Sequence, residues 1–441
     1  MEKSLAVAEN APRFRIARLV GCVAALSALS ASAGFWDAMD KVKRTVDTVN
    51  AVGDLINGKP AAKDENKSQA PAPRPGTAST PAVGKSPTSA ASAPAAAAPE
   101  LDAALLASFA GQRTTSADTA VPEVKYGTVR FSKPATPEQI QEAKTAYLAE
   151  KRSLANIRLD FKAVDDATFA AALAAFPTAT GVAVRESPLM TLAPFVIVGG
   201  VTQVSLNKVP CADMKPLAKC FRLRSLEMKY CDVSDMSGLA SLVSLESIDL
   251  YGSKVSCSFA PLAACPKLRK VEFYAVKAPQ ETYDSLGALK QVRDFHGGLT
   301  KMTSIRWLAS VPQTEELKVF AEKIDDFAPV SSLVNLTYFR GWNMDGGSMS
   351  TALGDLSFLA NCRRLKKLEL PGSAYSNTAL IGTFTSLEEL DLSNAKQPVD
   401  VSFVKTLPKL KRISLRGTEV VNGSAIPAGV KIYSDKKTKG L

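Results

Sequence analysis

The sequence predicts an α/β solenoid, in which short parallel strands line a concave face and short helical or 3-10 segments form the convex wall. Three observations lead to this prediction. An apolar pattern at positions 1, 4 and 6, as in Leu245, Ile248 and Leu250, fits neither a helical stripe nor a simple alternating strand. Copies of the pattern are most often 22 residues apart, and a second apolar pair separates them. The copies begin at Leu154, Ala179, Val201, Leu223, Leu245, Leu268, Val292, Thr314, Leu336, Leu365, Leu387 and Leu410.

A repeat of this length indicates a structure built from stacked coils. Each copy supplies one short strand, and because neighbouring strands lie about 4.8 Å apart, twelve copies span roughly 55–60 Å. Side chains at positions 4 and 6 point into the core, whereas positions 5 and 7 point to the opposite, outer face. No copy can bury its apolar side alone, so the terminal copies need covers. We assign the repeat domain to residues 154–432.

The L-x-x-L-x-L pattern with its 22-residue period resembles the leucine-rich repeat superfamily, and within it the bacterial internalin-like class. The resemblance covers residues 154–432 and implies a leucine-rich repeat horseshoe. Position 9 departs from the family, which usually has Asn there. In this chain it holds Cys231, Ser253, Thr300, Glu322, Met344, Ser373, Ala395 and Thr418. Because Ser, Thr and Cys can replace an Asn ladder only in part, we expect a less regular coil near Met344 and Ala395.

The first 33 residues have the three parts of a secretory signal peptide. Arg13, Arg15 and Arg18 precede a short apolar run that ends in small residues at 31–33. The run is too short to span a bilayer comfortably, so the sequence predicts export to the periplasm, the surface or the medium of a bacterium. Lipidation at Cys22 is the less favoured alternative, because charged residues precede that site.

The composition divides the rest of the chain outside the repeats into four segments. Residues 34–57 carry apolar residues at alternating four- and three-residue intervals, which predicts an amphipathic helix. Residues 58–100 are rich in Ala, Pro and Ser and predict a disordered linker. Residues 101–153 predict a region that caps the first repeat, with a strand at 125–131 ahead of a helix. Residues 433–441 form a basic tail.

The predicted capping helix has a clear start signal. Thr136 stands in the N-cap position and Pro137 in the first helical position. Gln139 stands three residues after Thr136, where a capping box needs it. The sequence therefore predicts that the helix begins at Pro137.

Cleavage of the signal peptide leaves six cysteines in an oxidising compartment. Five of them occupy core positions of the repeat, where a thiol acts as a small apolar side chain: Cys211, Cys220, Cys231, Cys265 and Cys362. Cys257 is out of register. We favour buried thiols, with local disulfides Cys211–Cys220 and Cys257–Cys265 left open. The sequence has no C-x-x-C spacing and predicts no metal site.

The sequence gives no positive support for catalysis. Its single histidine, His296, has Asp294 as an orienting acid, but no Ser or Cys nucleophile is indicated beside them. A surface histidine on a repeat strand is the simpler interpretation. Without a dinucleotide fingerprint or a metal-ligand cluster, we predict a non-enzymatic protein that needs no cofactor. The net charge of +11 comes from Lys and Arg scattered among 43 acids, so we expect no nucleic-acid partner.

The outer face of the strands carries the predicted binding surface. Position 7 holds four large aromatic residues: Tyr251, Tyr274, Phe320 and Trp342. Position 5 holds charges whose sign changes from acidic to basic along the sheet: Asp249 and Glu272, then His296, Lys318 and Arg340. Exposed aromatic area flanked by charge suits a protein or peptide partner. The alternative is that these rings simply pack between neighbouring strands.

An insertion of about seven residues follows Leu336 and supports the binding interpretation, because insertions in repeats protrude as loops, often beside the binding face. Two other functions remain open. In one, residues 35–56 self-associate or lie on the envelope, and the repeats are a passive scaffold. In the other, the aromatic row binds a glycan.

Overall fold

The computed structural model of the chain describes residues 103–150, 152–210, 213–320, 323–342 and 353–441. Four predicted features therefore lie outside the described residues: the signal peptide, the amphipathic helix at 34–57, the linker at 58–100, and the insertion after Leu336. Cys211, Glu322 and Met344 lie outside them as well.

The described chain consists of short strands that alternate with short helical segments, and fifteen of its strands form one sheet. The strands are β1 Glu123–Lys125, β2 Thr128–Phe131, β3 Arg158–Lys162, β4 Gly181–Arg185, β5 Gln203–Asn207, β6 Ser225–Lys229, β7 Asp232–Val233, β8 Ser247–Asp249, β9 Lys254–Val255, β10 Lys270–Tyr274, β11 Asp294–Gly298, β12 Glu316–Phe320, β13 Tyr338–Trp342, β14 Lys367–Glu369, β15 Glu389–Asp391, β16 Val399–Asp400, β17 Arg412–Ser414, β18 Val420–Val421 and β19 Lys431–Tyr433. The sheet excludes the small pairs β7–β9 and β16–β18. From β2 to β19 every pairing in it is parallel, as the sequence predicted.

The convex wall consists mainly of 3-10 segments of three to six residues. Their bounds are Leu154–Asn156, Ala193–Ile197, Lys215–Lys219, Ser237–Ser241, Ala260–Ala264, Ser285–Ala288, Arg306–Ser310, Ala328–Ser332, Leu356–Leu359, Thr378–Thr383, Ser402–Thr406 and Gly423–Ala425. Several begin after an Asp whose carboxylate accepts the backbone N–H two residues later, as Asp235 does from Ser237 at 2.7 Å. Strand, turn and 3-10 segment together make the solenoid that the repeat predicted.

The register of the sheet follows the apolar pattern of the repeats but corrects the start of the first one. Leu159 pairs with Val182, which is position 4 of the second repeat. The first repeat therefore begins at Asn156 rather than at Leu154. Leu154 is only partly buried against the core, because it belongs to a 3-10 segment ahead of the strand.

In ten of the repeats, the described residue at position 8, after the strand, has a left-handed backbone. These residues are Ala163, Glu186, Lys208, Tyr230, Gly252, Ala275, Leu299, Gly372, Asn394 and Gly417, with φ between 49° and 79°. The left-handed residue turns the chain out of the strand, so that position 9 points back into the coil. Glycine adopts this backbone without steric cost, whereas Ala, Leu or Tyr does so at a cost of about 1 kcal/mol.

At position 9, the hydroxyls of Ser253 and Thr418 each connect one coil to the preceding one. The Ser253 hydroxyl donates to the Met228 carbonyl at 2.6 Å and accepts the Cys231 N–H at 2.9 Å. Thr418, one repeat after Ala395, makes the equivalent bonds. Its hydroxyl accepts the Ala395 N–H at 3.2 Å and donates to the Leu392 carbonyl at 2.8 Å. The irregularity expected near Ala395 is therefore not found, because a single hydroxyl both donates and accepts where the family uses Asn.

The N-terminal cover of the sheet contains a hairpin where the sequence predicted a single strand at 125–131. Strand β1 pairs antiparallel with β2, and the turn between them places Tyr126 and Gly127 in the left-handed region. Strand β2 then pairs parallel with β3 of the first repeat. The Phe131 ring stacks on that of Phe161, with 4.6 Å between centroids.

Four α-helices lie in the described chain: α1 Ala103–Ala110, α2 Pro137–Ala149, α3 Asp166–Ala175 and α4 Gln280–Asp284. Helix α2 begins at Pro137 as predicted, and its capping box is complete. The Thr136 hydroxyl accepts the Gln139 N–H, while the Gln139 carboxamide accepts the Thr136 N–H at 2.9 Å. The helix buries Ile140, Ala143 and Tyr147.

The five cysteines in the described residues are free thiols. Cys220, Cys231, Cys265 and Cys362 are buried in the core, as their repeat positions predicted. Burial raises the pKa of Cys220 and of Cys362 to about 12. The disulfide left open between Cys257 and Cys265 is not formed, and the alternative through Cys211 lies outside the described residues.

Candidate binding surface

The concave face is defined here as the outward side chains at positions 3, 5 and 7 of the sheet strands. Alternation along each strand buries positions 4 and 6, such as Leu226 and Met228 in β6, and leaves Glu227 and Lys229 outside. Every residue predicted for the binding site belongs to this face. The structure decides which of them a partner can reach.

The predicted aromatic row is only partly exposed. Tyr251 and Tyr274 are half-buried, but Phe320 is only 5% exposed and Trp342 only 6%. The prediction of a continuous exposed row from Tyr251 to Trp342 is therefore wrong for its second half. Its rings pack on one another, which is the alternative the sequence left open.

Gly298 allows the rings of Tyr274, Phe320 and Trp342 to pack against one another. It occupies position 7 between Tyr274 and Phe320, and a Cβ added there would lie 2.6 Å from the Tyr274 ring and 2.8 Å from the Trp342 ring. The Tyr274 and Trp342 centroids are 6.2 Å apart, and those of Phe320 and Trp342 are 5.9 Å apart. The missing side chain thus makes room for an aromatic cluster, formed by Tyr274, Phe320 and Trp342.

Tyr230 is a surface aromatic residue that the sequence interpretation missed. It occupies the left-handed position 8 with φ of 54° and is 42% exposed. Its ring lies on Gly252, whose added Cβ would be 2.6 Å away, and meets the Tyr251 ring edge-on at a centroid distance of 5.4 Å. The sequence signal was an aromatic residue at position 8, which holds Gly or Asn in four of the other described repeats.

His296 is not a surface residue, contrary to the sequence interpretation. It is 4% exposed and lies between two carboxylates: Nδ1 is 3.4 Å from Glu272, and Nε2 is 3.1 Å from Glu316. The Lys318 amine is 3.5 Å from Nδ1. Asp294, proposed as its orienting acid, is not among these hydrogen-bond partners in the described chain. His296 therefore holds neighbouring strands together and offers little surface to a partner.

The charged groups around His296 are shifted by this arrangement. Burial raises the pKa of Glu272, but hydrogen bonds from His296 and Lys270 outweigh it and hold the pKa at about 2. A hydrogen bond from His296 also lowers the pKa of Glu316. Burial lowers the pKa of Lys318. The centre of the concave face is thus an internally paired network of charges.

Lys318 and Arg340 are likewise engaged within the protein. The Lys318 amine lies 4.9 Å from the Tyr338 ring centroid, and Lys367 lies 4.8 Å from the same centroid. Arg340 is 3.2 Å from the Glu369 carboxylate and lies over the Trp342 ring at 4.9 Å. Arg340 thus holds the Trp342 ring of the aromatic cluster by cation–π contact and ion pairing together, and the two lysines hold the neighbouring Tyr338 ring.

Asp249 belongs to the exposed tyrosine end of the face. Its carboxylate accepts the Tyr251 N–H at 2.9 Å and pairs with Lys229 at 3.1 Å. Burial raises the pKa of Asp249, and the nearby Lys229 opposes that shift. Asp249 therefore fixes the backbone that carries Tyr251.

Several solved structures resemble the chain. A leucine-rich repeat protein from Leptospira interrogans aligns at 11% identity over 76% of this chain and 87% of that protein, with a TM-score of 0.50. An internalin from Listeria monocytogenes aligns at 17% identity over 61% of this chain and 83% of the internalin, with a TM-score of 0.44. The plant peptide hormone receptor RGFR1, solved in complex with RGF2, aligns at 16% identity over 64% of this chain and 54% of the receptor, with a TM-score of 0.38.

No protein-family model matches the chain, and no curated protein sequence does either. The parallel register, the 3-10 convex wall and the likeness to the Leptospira protein define the fold. The chain has a leucine-rich repeat fold, as the sequence predicted. Among the residues that the structure describes, no helix is long and apolar enough to cross a membrane. The same residues contain no group of His, Cys, Asp and Glu arranged to hold a metal ion.

Proposed function

We propose that this protein is a non-enzymatic binding protein that holds a protein or peptide on its concave face through Tyr251 and Tyr274, together with Tyr230 at the adjoining position 8. The observation that carries the proposal is the edge-on pair formed by the exposed Tyr230 and the half-buried Tyr251. Repeat stacking does not require either ring, because positions 7 and 8 lie outside the core. Tyr230 in addition retains a left-handed backbone that costs free energy.

The remaining predicted residues support the tyrosines. Phe320 and Trp342 are buried and form the base on which Tyr274 rests. Asp249 holds the backbone of Tyr251. Tyrosine provides a large contact area at low entropic cost, and a surface that is already rigid loses little freedom when a partner binds.

Panning a random peptide display library against the full chain tests this proposal. Peptides that bind should lose at least about tenfold in affinity with Tyr230→Ala or Tyr251→Ala. Replacing a hot-spot tyrosine by alanine costs about 2 kcal/mol or more of binding free energy. Tyr126→Ala is the matched control, since Tyr126 is 82% exposed at the β1–β2 turn and lies outside the tyrosine group. Affinities that do not change with either concave substitution would contradict the proposal.

A glycan array probed with the same variants separates the glycan alternative from peptide binding. Aromatic rings also stack on sugars, so Tyr230→Ala and Tyr251→Ala would then abolish array binding and leave peptide affinity unchanged. That result would replace the peptide by a glycan as the partner of this face.

We further propose that the chain is exported, on the basis of Arg13, Arg15, Arg18 and the apolar run that follows them. Cell fractionation with protease shaving of intact cells tests this proposal and distinguishes the periplasm from the cell surface. Full-length protein found only in the cytosol would overturn it. The alternative of self-association through residues 35–56 predicts a change of mass in light scattering when residues 34–57 are deleted.

A further inference from the structure

The N-terminal part of the concave face carries a concentration of positive charge that the fold does not neutralise. The outward side chains of β2 to β5 include four cations, Arg130, Arg158, Lys162 and Arg185, and one carboxylate, Asp160. All four cations are exposed. We call these four residues the basic patch. The excess of three positive charges contrasts with the paired charges around His296.

Two of the four cations are held in place by the single carboxylate. An Arg185 guanidinium nitrogen lies 2.8 Å and 2.7 Å from the two Asp160 oxygens. Arg130 Nε lies 3.3 Å from the same carboxylate, whose side chain is only 16% exposed. Asp160 thus positions both guanidinium groups and cannot neutralise both.

The other two cations make no ion pair in the described part of the chain. Lys162 is the register partner of Arg185, so two basic residues stand opposite each other on strands about 4.8 Å apart. Such a pair destabilises a sheet. The Arg158 stem lies against Gly181, where an added Cβ would be 3.3 Å from its Cγ and its Nε. A small residue therefore lets Arg158 lie low across the sheet.

The groups that border the basic patch do not remove its excess charge. Glu123 pairs with Arg130 at 3.2 Å, and Glu186 pairs with Lys208 at 3.1 Å. Lys125 and Lys208 offset these two acids. The floor between the long side chains is made of Gly181, Ala183 and Ser205.

The basic patch has the size of a short extended peptide. The two strand intervals from β2 to β4 span about 10 Å, and the four residue steps from Arg158 to Lys162 span about 13 Å. An extended chain covers this distance with about four residues. Small side chains lie between the long basic ones, and this arrangement suits a narrow extended chain better than a flat lipid surface. The patch also continues along position 7, through Arg185, Asn207 and Lys229, to Tyr251.

We propose that the basic patch binds an acidic segment of the peptide partner, about four residues long, adjacent to the part that contacts the tyrosines. This inference rests on the proposed function of the concave face and adds the charge of the partner. Arg130 and Arg185 offer paired N–H donors to carboxylates, and Lys162 and Arg158 add charge at the two ends of β3.

Fluorescence anisotropy with the full chain tests the inference. The probe is a labelled octapeptide of alternating Glu and Ser, and the reference probe has Gln in place of each Glu. The double variant Arg158→Gln/Lys162→Gln should bind the acidic probe at least tenfold more weakly than the unchanged chain. Lys436→Gln/Lys437→Gln removes the same charge from exposed positions at the other end of the solenoid and should change the affinity less than twofold.

Three results would overturn the inference. Equal losses in both double variants would show attraction by net charge alone, and equal binding of the Glu and Gln probes would show that carboxylates are not recognised. If Arg158→Gln/Lys162→Gln weakens binding to phosphatidylglycerol vesicles but not to the acidic probe, the occupant of the basic patch is a membrane. Lys162→Glu serves as a second variant if the double variant unfolds. If tyrosine-dependent peptides still bind while Arg158→Gln/Lys162→Gln has no effect, only the acidic segment is wrong and the proposed function stands.

Discussion

At the scale of single residues, the turn at position 8 shows how the repeat tolerates local strain. The same left-handed backbone is adopted by glycines such as Gly372 and by residues with a side chain such as Ala275 and Tyr230. The coil imposes this conformation because the strand on one side and the position 9 residue on the other are both fixed by neighbouring coils. The residues with a Cβ therefore carry a cost that stacking offsets.

Glycine substitutions measure this cost directly. Gly372→Ala should lower the free energy of unfolding by about 1 kcal/mol, because its φ of 79° is unfavourable for any residue with a Cβ. Ala275→Gly should leave stability unchanged or raise it by up to about 1 kcal/mol, since relief of strain competes with backbone entropy. Gly200→Ala is the control, because an added Cβ meets nothing within 4 Å there. Urea unfolding gives the three values, and an unaffected Gly372→Ala would contradict the prediction.

Glu272 links stability to pH. Its pKa of about 2 in the folded protein lies below the ordinary value of 4.5, so the folded state favours the carboxylate more than the unfolded state does. The resulting stability is present above pH 4.5 and is lost as the pH falls towards 2. Glu272→Gln removes this dependence. The variant should therefore be less stable than the unchanged chain at pH 6, and this difference in unfolding free energy should be smaller by about 2 kcal/mol at pH 3.

Urea titrations of Glu272→Gln at several pH values check this dependence. Glu281→Gln is the matched control, since Glu281 is exposed on α4. A deficit that stays constant from pH 6 to pH 3 would show that His296 and Lys270 do not stabilise the Glu272 carboxylate.

At the scale of structural elements, position 9 shows that one hydroxyl can join two coils. Ser253 accepts an N–H and donates to a carbonyl of the preceding coil. Ser373 occupies the same repeat position and is equally buried, but its hydroxyl has no hydrogen-bond partner among the described residues. The two serines differ in their neighbours, although the repeat pattern makes them equivalent.

Alanine substitutions at these two serines should therefore differ in effect. Ser253→Ala leaves the Met228 carbonyl and the Cys231 N–H without that partner and should cost about 1–3 kcal/mol. Ser373→Ala removes a buried hydroxyl that has no partner and should be neutral or slightly stabilising. Chemical denaturation of the two variants side by side tests the contrast, and equal losses would rule it out.

At the scale of the whole molecule, the sheet depends on its N-terminal cover. A solenoid buries each coil against its neighbours, so an uncovered end exposes both apolar side chains and strand edge. Here the β1–β2 hairpin pairs with β3, and Phe131 stacks on Phe161. Helix α2 adds Ile140 and Tyr147 to the same core.

Removal of this cover should destabilise the entire repeat domain. Deleting residues 1–152 exposes Leu159 and Phe161 of β3, and we expect a melting temperature lower by about 5 °C or more, with aggregation visible in light scattering. Deleting residues 1–102 retains the hairpin and α2 and is the matched control. A truncation at 152 that melts like the control would show that β3 needs no cover.

The sequence was sufficient to predict the repeat, its parallel register, the capping box at Thr136, and the burial of Cys220, Cys231, Cys265 and Cys362. All of these follow from local patterns that recur at a fixed interval, and the period of apolar residues allows one stacking arrangement. It misplaced the first repeat at Leu154, because a half-buried leucine ahead of β3 imitates position 1. It also missed the hairpin, whose turn at Tyr126 and Gly127 interrupts an apparently continuous strand.

The accessibility of the concave side chains depends on packing that no single repeat reveals. Gly298 lets the rings of Tyr274 and Trp342 meet across intervening strands, and two carboxylates enclose His296. These contacts join residues 20 to 68 positions apart, whose rotamers no single repeat specifies. The fold therefore follows from the repeated local pattern, whereas exposure depends on side-chain packing between different coils.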